Sequence, residues 1–146
     1  MILKKILIIN KFYKNKLSKI PKFAVTGLNP HCESSFTNSE EKKIIIPAIK
    51  KAKKKNIRIN GPLPADTMFI KNNLIKYDVV IGMYHDQVLT PIKTLYNFNA
   101  INITLGLPFL RISPDHGPNN KMLGKKKSDP TSLFEALLFL KKIDEN

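Results

Sequence analysis

At 146 residues the chain has room for one ordinary domain and not for a two-lobed body, and no apolar run approaches the roughly 20 residues that a membrane-spanning helix requires. A formal charge of +14 points toward a polyanionic partner, yet lysine carries it, with Arg58 and Arg111 the sole arginines, in a chain also rich in Ile and Asn. Those three residue types share A/T-rich codons, so base composition accounts for them together, whereas a surface selected to grip phosphate backbones is expected to use more arginine.

In chain order, Ile2, Leu3, Ile6, Ile9, Tyr13 and Leu17 recur near the helical period and predict a basic amphipathic helix over residues 2 to about 18, with a strand at Leu7 to Ile9 as the alternative. The apolar opening is broken by Lys4 and Lys5 and has no small-residue cleavage site behind it, so it is read as folded protein of the cytoplasm rather than a targeting segment. Lys22 to Thr26 predicts a buried strand ended by Gly27 and followed by the loop Leu28-Asn29-Pro30-His31. The lone cysteine, Cys32, excludes an internal disulfide and fits a reducing compartment.

Asn38 or Ser39 is placed to cap a helix with Glu40 and Glu41 in its first turn and Lys50 to Lys55 at its end, kinked by Pro47. Ile57 to Ile59 predicts a short strand, followed by a stiff, turn-rich segment from Gly61 to Thr67. Asp78 to Met83 is the clearest strand, nearly continuous in apolar and β-branched residues, as a parallel sheet covered on both faces demands. Val88 to Leu95 predicts a short helix or turn, and Ala100 to Leu105 another apolar strand. Asp129 and Pro130 sit as N-cap and first residue of a last helix, with Leu133, Phe134, Leu137, Leu138 and Leu140 as its apolar face. Strand alternating with helix predicts an α/β fold, with no repeat, linker or boundary, hence a single domain over 1–146.

His31 and His85 each follow a predicted strand, and in an open α/β sheet ligands collect at the carboxyl ends of strands. Imidazoles so placed suit a divalent metal, although a site open to substrate needs about three protein donors and only two are offered. For either alone, a loop histidine bonded to backbone is the better explanation, and their shared placement brings the two readings level. Lys93, Asn102 and Arg111 surround the same predicted sheet edge and suit a phosphate, Arg111 as a bidentate fork and Lys93 as a point charge; a surface pair of Arg111 with Asp115 is the alternative. Asp66 and Asp86 lie in the same loops, as partners orienting a histidine, as proton acceptors or as helix caps. Nothing matches Gly-x-Gly-x-x-Gly or a Walker loop, so a Rossmann nucleotide site is not expected.

Five blocks then stand in order: Val25-Thr26-Gly27-Leu28-Asn29-Pro30-His31, Gly61-Pro62-Leu63-Pro64-Ala65-Asp66-Thr67, Met83-Tyr84-His85-Asp86-Gln87, Asn102-Ile103-Thr104-Leu105-Gly106-Leu107-Pro108 and Arg111-Ile112-Ser113-Pro114-Asp115-His116-Gly117. Together they resemble the C-terminal half of the 4-hydroxythreonine-4-phosphate dehydrogenases of pyridoxal phosphate biosynthesis. The resemblance implies a truncated α/β fold similar to the isocitrate and isopropylmalate dehydrogenases: three layers, with a mostly parallel sheet and flanking helices. It implies a homodimer, and a divalent metal (zinc, magnesium or cobalt) held by three histidines, of which His31 and His85 match two and the third belongs upstream. It also implies substrate binding by Lys93, Asn102 and Arg111, and NAD-dependent oxidation of 4-phosphooxy-L-threonine with decarboxylation, in a split or truncated enzyme.

The chain departs from the family pattern at two places. After His31 the family carries a glycine-rich loop, often with another histidine, where this chain has Cys32-Glu33-Ser34-Ser35-Phe36-Thr37, one residue shorter and without those permissive glycines. After Gly117 the family continues Thr-Ala, whereas Pro118-Asn119-Asn120 follows here, where the resemblance implies the NAD adenine; Pro118 has no backbone donor to offer. The readings carried forward are one piece of a working dehydrogenase whose other half is a separate polypeptide, a non-catalytic relic of a decaying gene, and a basic nucleic-acid-binding module.

Overall fold

The structure, a computed structural model, describes residues 1–32, 38–117, 120–125 and 127–145. The shortened loop after Cys32 and the residues Pro118 and Asn119, both singled out above, lie outside the described residues. Two compact units divide the chain, Met1–Pro91 and Ile92–Asn146.

The first unit is built on a three-stranded parallel sheet in the order β2-β1-β3, with β1 at Lys22–Thr26, β2 at Arg58–Leu63 and β3 at Val79–Ile81. The central strand β1 is sealed from Phe23 to Thr26, as expected when both faces of a parallel strand are covered. Strand side chains alternate in direction, so Phe23 and Val25 face one way and Ala24 and Thr26 the other. Phe23 and Val25 join Ile6 of helix α1 (Ile2–Lys16), Ile45, Ile49 and Ala52 on and beside α2 (Ile46–Lys53), and Ile57 and Ile59 in the core. The predicted first helix and central strand are thus present within two residues at every end.

The second predicted helix is present in altered form. The Ser39 hydroxyl accepts from the Lys42 amide at 3.3 Å, and Glu41–Ile45 is π-helical before α2 begins. Pro47 follows directly on that π-helical turn, and the widened turn before it relieves the clash its ring would make in a continuous α-helix.

The stiff segment after Ile59 is corrected. Its first three residues belong to β2, which reaches Leu63 by a bulge: Ala24 pairs with Asn60 but Thr26 with Leu63, two residues against three. Gly61 carries the irregularity at φ +145°, with a cis bond to Pro62, and a Cβ there would meet the Val25 carbonyl oxygen at 2.5 Å. An edge strand at a bulge is where a sheet tolerates proline. Two short helices, α3 (Ala65–Met68) and α4 (Lys71–Leu74), lead to β3. At the opposite end of the strands, Asp78 accepts from the Lys22 amide at 2.8 Å and pairs with Lys19 at 2.6 Å, and that ammonium holds its carboxyl below the usual range.

Helix α5 (His85–Tyr96) starts four residues after β3, and the division between units falls at its Pro91, which cannot donate to the Gln87 carbonyl one turn back. The second unit contains a two-stranded antiparallel ribbon, β4 (Ile101–Thr104) with β5 (Arg111–Pro114), and helix α6 (Thr131–Asp144). Strand β5 was not foreseen, because Arg-Ile-Ser-Pro offers a single apolar side chain and no alternation to read. The predicted cap is shifted by one residue: Pro130 is the N-cap of α6, without a side-chain cap bond, and Asp129 before it accepts from the Thr131 amide at 2.9 Å. The predicted apolar face of α6 is corrected: Ser132, Ala136 and Ile143 are the buried residues, while Leu133, Phe134, Leu137 and Leu138 are each about half exposed. Ser132 fixes that choice by accepting from the Asp115 amide at 2.8 Å and donating to the Ala100 carbonyl at 2.6 Å, tying the helix start to both strands at one end of the ribbon.

Candidate functional site at the carboxyl edge of the parallel sheet

Because β1, β2 and β3 are parallel, the loops after all three leave from one edge of the sheet, and each carries chemistry. His31 follows β1, Asp66 follows β2, and His85 and Asp86 follow β3. The exits of β1 and β2 are laced by backbone: Gly27 donates to the Leu63 carbonyl at 3.1 Å and Ala65 to that of Pro30 at 2.9 Å. Next along, the His31 imidazole Nδ1 lies 3.3 Å from Asp66 Oδ2. The His31 amide donates to Asn29 Oδ1 at 3.0 Å, and the Asn29 amide donates to Glu41 Oε1 at 2.8 Å.

Glu41 is therefore more than a charge at a helix start. It is buried, and the amide of Asn29 holds its carboxyl below the ordinary glutamate range against the opposing effect of burial. Burial pushes the Cys32 thiol up.

On the other flank, His85 Nδ1 lies 2.7 Å from Asp86 Oδ1. Both imidazoles are well exposed, 67% for His31 and 78% for His85. Each has a carboxylate at Nδ1, the arrangement that orients an imidazole and leaves Nε2 to coordinate a metal. Each imidazole is a donor of the type that suits a divalent ion. Among the described residues no group of three or more His, Cys, Asp or Glu is arranged to hold one, so further donors would have to come from substrate, water or another part of the protein. Of the roles open to Asp66 and Asp86, the geometry favours orienting a histidine.

The second unit holds the remaining candidates. Asn102 pairs with Ser113 and Thr104 with Arg111 across the ribbon, so Asn102 and Arg111 share one face of it. The Arg111 guanidinium donates to the Thr104 hydroxyl at 3.0 Å, so the alternative pairing with Asp115 is replaced by this one. Asp115 instead binds Lys93, whose ammonium lies 2.9 Å from Asp115 Oδ2 and also donates to the Asp115 carbonyl. Lys93 lines a cavity of about 640 Å³ with Phe98, Pro114, His116, Asp129 and Leu133 among its walls.

Glu41 and Gln87 escaped the sequence reading as anchors of this edge. Glu41 gave only a helix-start signal, and Gln87 stood as one letter of a block; a glutamine two residues past a histidine, beside a buried threonine strand end, was the available sign.

The family model described as pyridoxal phosphate biosynthetic protein PdxA matches residues 1–140. The chain is 50% identical over 118 residues to the 4-hydroxythreonine-4-phosphate dehydrogenase of Bradyrhizobium diazoefficiens, covering 80% of this chain and 34% of that one. It is 45% identical over 139 residues to the enzyme of that name from a Sulfurihydrogenibium species, covering 93% and 42%. Solved structures of 4-hydroxythreonine-4-phosphate dehydrogenases from Klebsiella pneumoniae (TM-score 0.79, 32% identity) and Burkholderia phymatum (0.76, 33%) each cover 97% of this chain and 44% of theirs. The chain thus spans less than half the length of these relatives. The match across residues 1–140 and the likeness to these solved structures place the chain in the PdxA family of pyridoxal phosphate biosynthetic proteins.

Proposed function

We propose that the chain is the C-terminal half of a cytoplasmic, NAD-dependent, metal-assisted dehydrogenase acting on 4-phosphooxy-L-threonine in pyridoxine 5'-phosphate biosynthesis, with the reaction ending in decarboxylation. The observation that carries this reading is the pair of exposed imidazoles on loops of adjacent parallel strands, each with a carboxylate at Nδ1. His31 and His85 would hold the divalent ion. When bound, such an ion supplies Lewis-acid polarisation of a substrate oxygen, and NAD supplies the hydride acceptor.

The remaining roles follow from charge and shape. Arg111 offers a planar fork to the substrate phosphate, and Asn102, on the same ribbon face, offers an amide to a hydroxyl or carboxylate. Lys93 would exchange Asp115 for a phosphate oxygen. The cavity beside His116 is of ligand size and combines apolar walls with the Asp129 carboxylate, a fit for a base with its ribose. The partner proposed is a second copy of the chain, a separate N-terminal half, or both, and the half-exposed Leu133, Phe134, Leu137 and Leu138 supply apolar surface for one of them to cover.

The test is NADH formation from 4-phosphooxy-L-threonine with zinc, by the chain alone and mixed with the N-terminal half of a relative. Activity only in the mixture, lost with His31→Ala, His85→Ala or Arg111→Ala, is the expected outcome. A well-folded mixture that forms no NADH and retains no zinc would favour a non-catalytic relic.

A further inference from the structure

Polar groups at the carboxyl edge of the parallel sheet find partners inside the protein. The Gln87 carboxamide donates to the Gly27 carbonyl at 2.7 Å and accepts from the Met83 amide and the Thr26 hydroxyl, each at 2.7 Å. The layer formed by α1 and α2 is the reverse. Both helices pack on the side of the sheet that Phe23 and Val25 face, through Ile6, Ile49 and Ala52, and their charged side chains are left to solvent.

Residues 1–22 and 38–58 hold fifteen lysines and arginines against two acidic residues, whereas the rest of the chain holds ten against nine, so this layer accounts for nearly all of the +14. All fifteen basic residues are exposed. Of the two acids, Glu41 is buried and bound by the Asn29 amide, which leaves Glu40 as the one exposed carboxylate. Among the described residues Lys19 is the only one of the fifteen in an ion pair, with Asp78. Base composition explains why these positions hold lysine rather than arginine. It does not explain why acids are missing here and present elsewhere: α6, written in the same base composition, sets Lys141 against Glu145. Like charge gathered without partners opposes the compact state by self-repulsion, so its counter-charge is to be sought outside the chain.

Helical spacing puts Lys4 and Lys11 on the side of α1 opposite Ile6, and Lys50 and Lys54 on the side of α2 opposite Ile49 and Ala52. The 15 residues of α1 reach about 22 Å, the length of about six base pairs of a duplex. A bilayer is the poorer partner, because Ile2, Leu3, Ile6 and Ile9, the apolar stripe of α1, are committed to the core. A single strand is poorer too, since it needs open aromatic faces for its bases. Phe12 and Tyr13 instead meet edge to face with ring centroids 6.2 Å apart, and the Tyr13 hydroxyl donates to the Asp78 carbonyl at 3.1 Å. We propose that the α1–α2 layer binds the phosphodiester backbone of duplex nucleic acid, without regard to base sequence, because lysines offer point charges and no planar fork for a base edge. This surface uses no residue of the dehydrogenase reading and stands independently of it.

The experiment is fluorescence anisotropy of a labelled DNA duplex titrated with the 146-residue chain at salt concentrations from about 50 to about 200 mM. Affinity should fall steeply with salt, the logarithmic slope steepening by about 0.9 for each phosphate contacted. Combining Lys4→Gln, Lys11→Gln, Lys50→Gln and Lys54→Gln should weaken binding and flatten that slope by about 3–4. The control combines Lys125→Gln, Lys127→Gln, Lys141→Gln and Lys142→Gln, which removes the same charge from residues 92–146, and its slope should stay within about 1 of wild type. Should the first combination fail to fold, the pair Lys50→Gln and Lys54→Gln, with an expected flattening of about 2, gives the answer. Duplexes of DNA and RNA and of unrelated sequence are expected to bind alike, and single-stranded DNA more weakly. Equal flattening in both fourfold variants would show that net charge rather than a face does the binding, and overturns the proposal. So does tighter binding to single strands, binding to phosphatidylserine vesicles but not to a duplex, or wild type that binds no duplex at the lowest salt.

Discussion

The two compact units differ in how their apolar residues are used. Of the buried hydrophobic residues described, ten belong to residues 1–91, from Ile6 to Met68, and two, Ala136 and Ile143, to residues 92–146. The first unit closes a core around its central strand. The second spends its bulkiest helix residues on its surface and relies on Ser132 to hold ribbon and helix together. A unit with a filled interior resists local opening, whereas one held by a few polar ties opens readily.

The largest effect that would sharpen this contrast is expected from Phe23→Ala. It removes a fully buried ring and should cost about 3–5 kcal/mol in denaturant unfolding. A loss under about 1 kcal/mol would mean that the core of the first unit is loosely packed. Next comes Ser132→Ala, which strands the Asp115 amide and the Ala100 carbonyl and should destabilise by about 1–3 kcal/mol. Hydrogen exchange would place that loss in residues 92–146; a change confined to the first unit would break the comparison.

Acid should act chiefly on the first unit. Glu41 and Asp78 both have folded carboxyl values below their ordinary ones, so their contribution is complete above the unfolded values and is lost as pH falls through the folded ones. Unfolding midpoints should therefore drop as pH falls below about 5, and Glu41→Gln should flatten that slope. The smallest effect is expected from Leu137→Ala on the exposed face of α6, within about 0.5 kcal/mol for the chain alone.

The sequence was most readable where one physical demand dominated. Lys22 to Thr26 was legible as strand because the apolar run Phe23 to Val25 is sealed and stops short of Gly27, and Asp129-Pro130 marked the start of the last helix to within one residue. It was unreadable where a long-range polar contact outweighed apolar area. Leu133 and Leu137 form the stronger helical stripe, yet Ser132 turns the opposite side of α6 inward through partners 17 and 32 residues away. At the site, His31, His85 and the aspartates were legible as strand-end residues, since a parallel sheet sends every such loop to one edge. Which aspartate meets which histidine was not, because the bulge at Gly61 decides where Asp66 arrives.

That bulge sets a parity. Strand side chains alternate, so the added residue exchanges the faces of everything on β2 beyond Asn60 relative to an unbroken ladder. Deleting a single residue there would leave charge, hydropathy and most of the family blocks intact while removing the bulge through which β2 reaches Leu63 and the chain runs on to Asp66. The spacing between motifs, at single-residue resolution, is thus as much a part of the site as the residues within them.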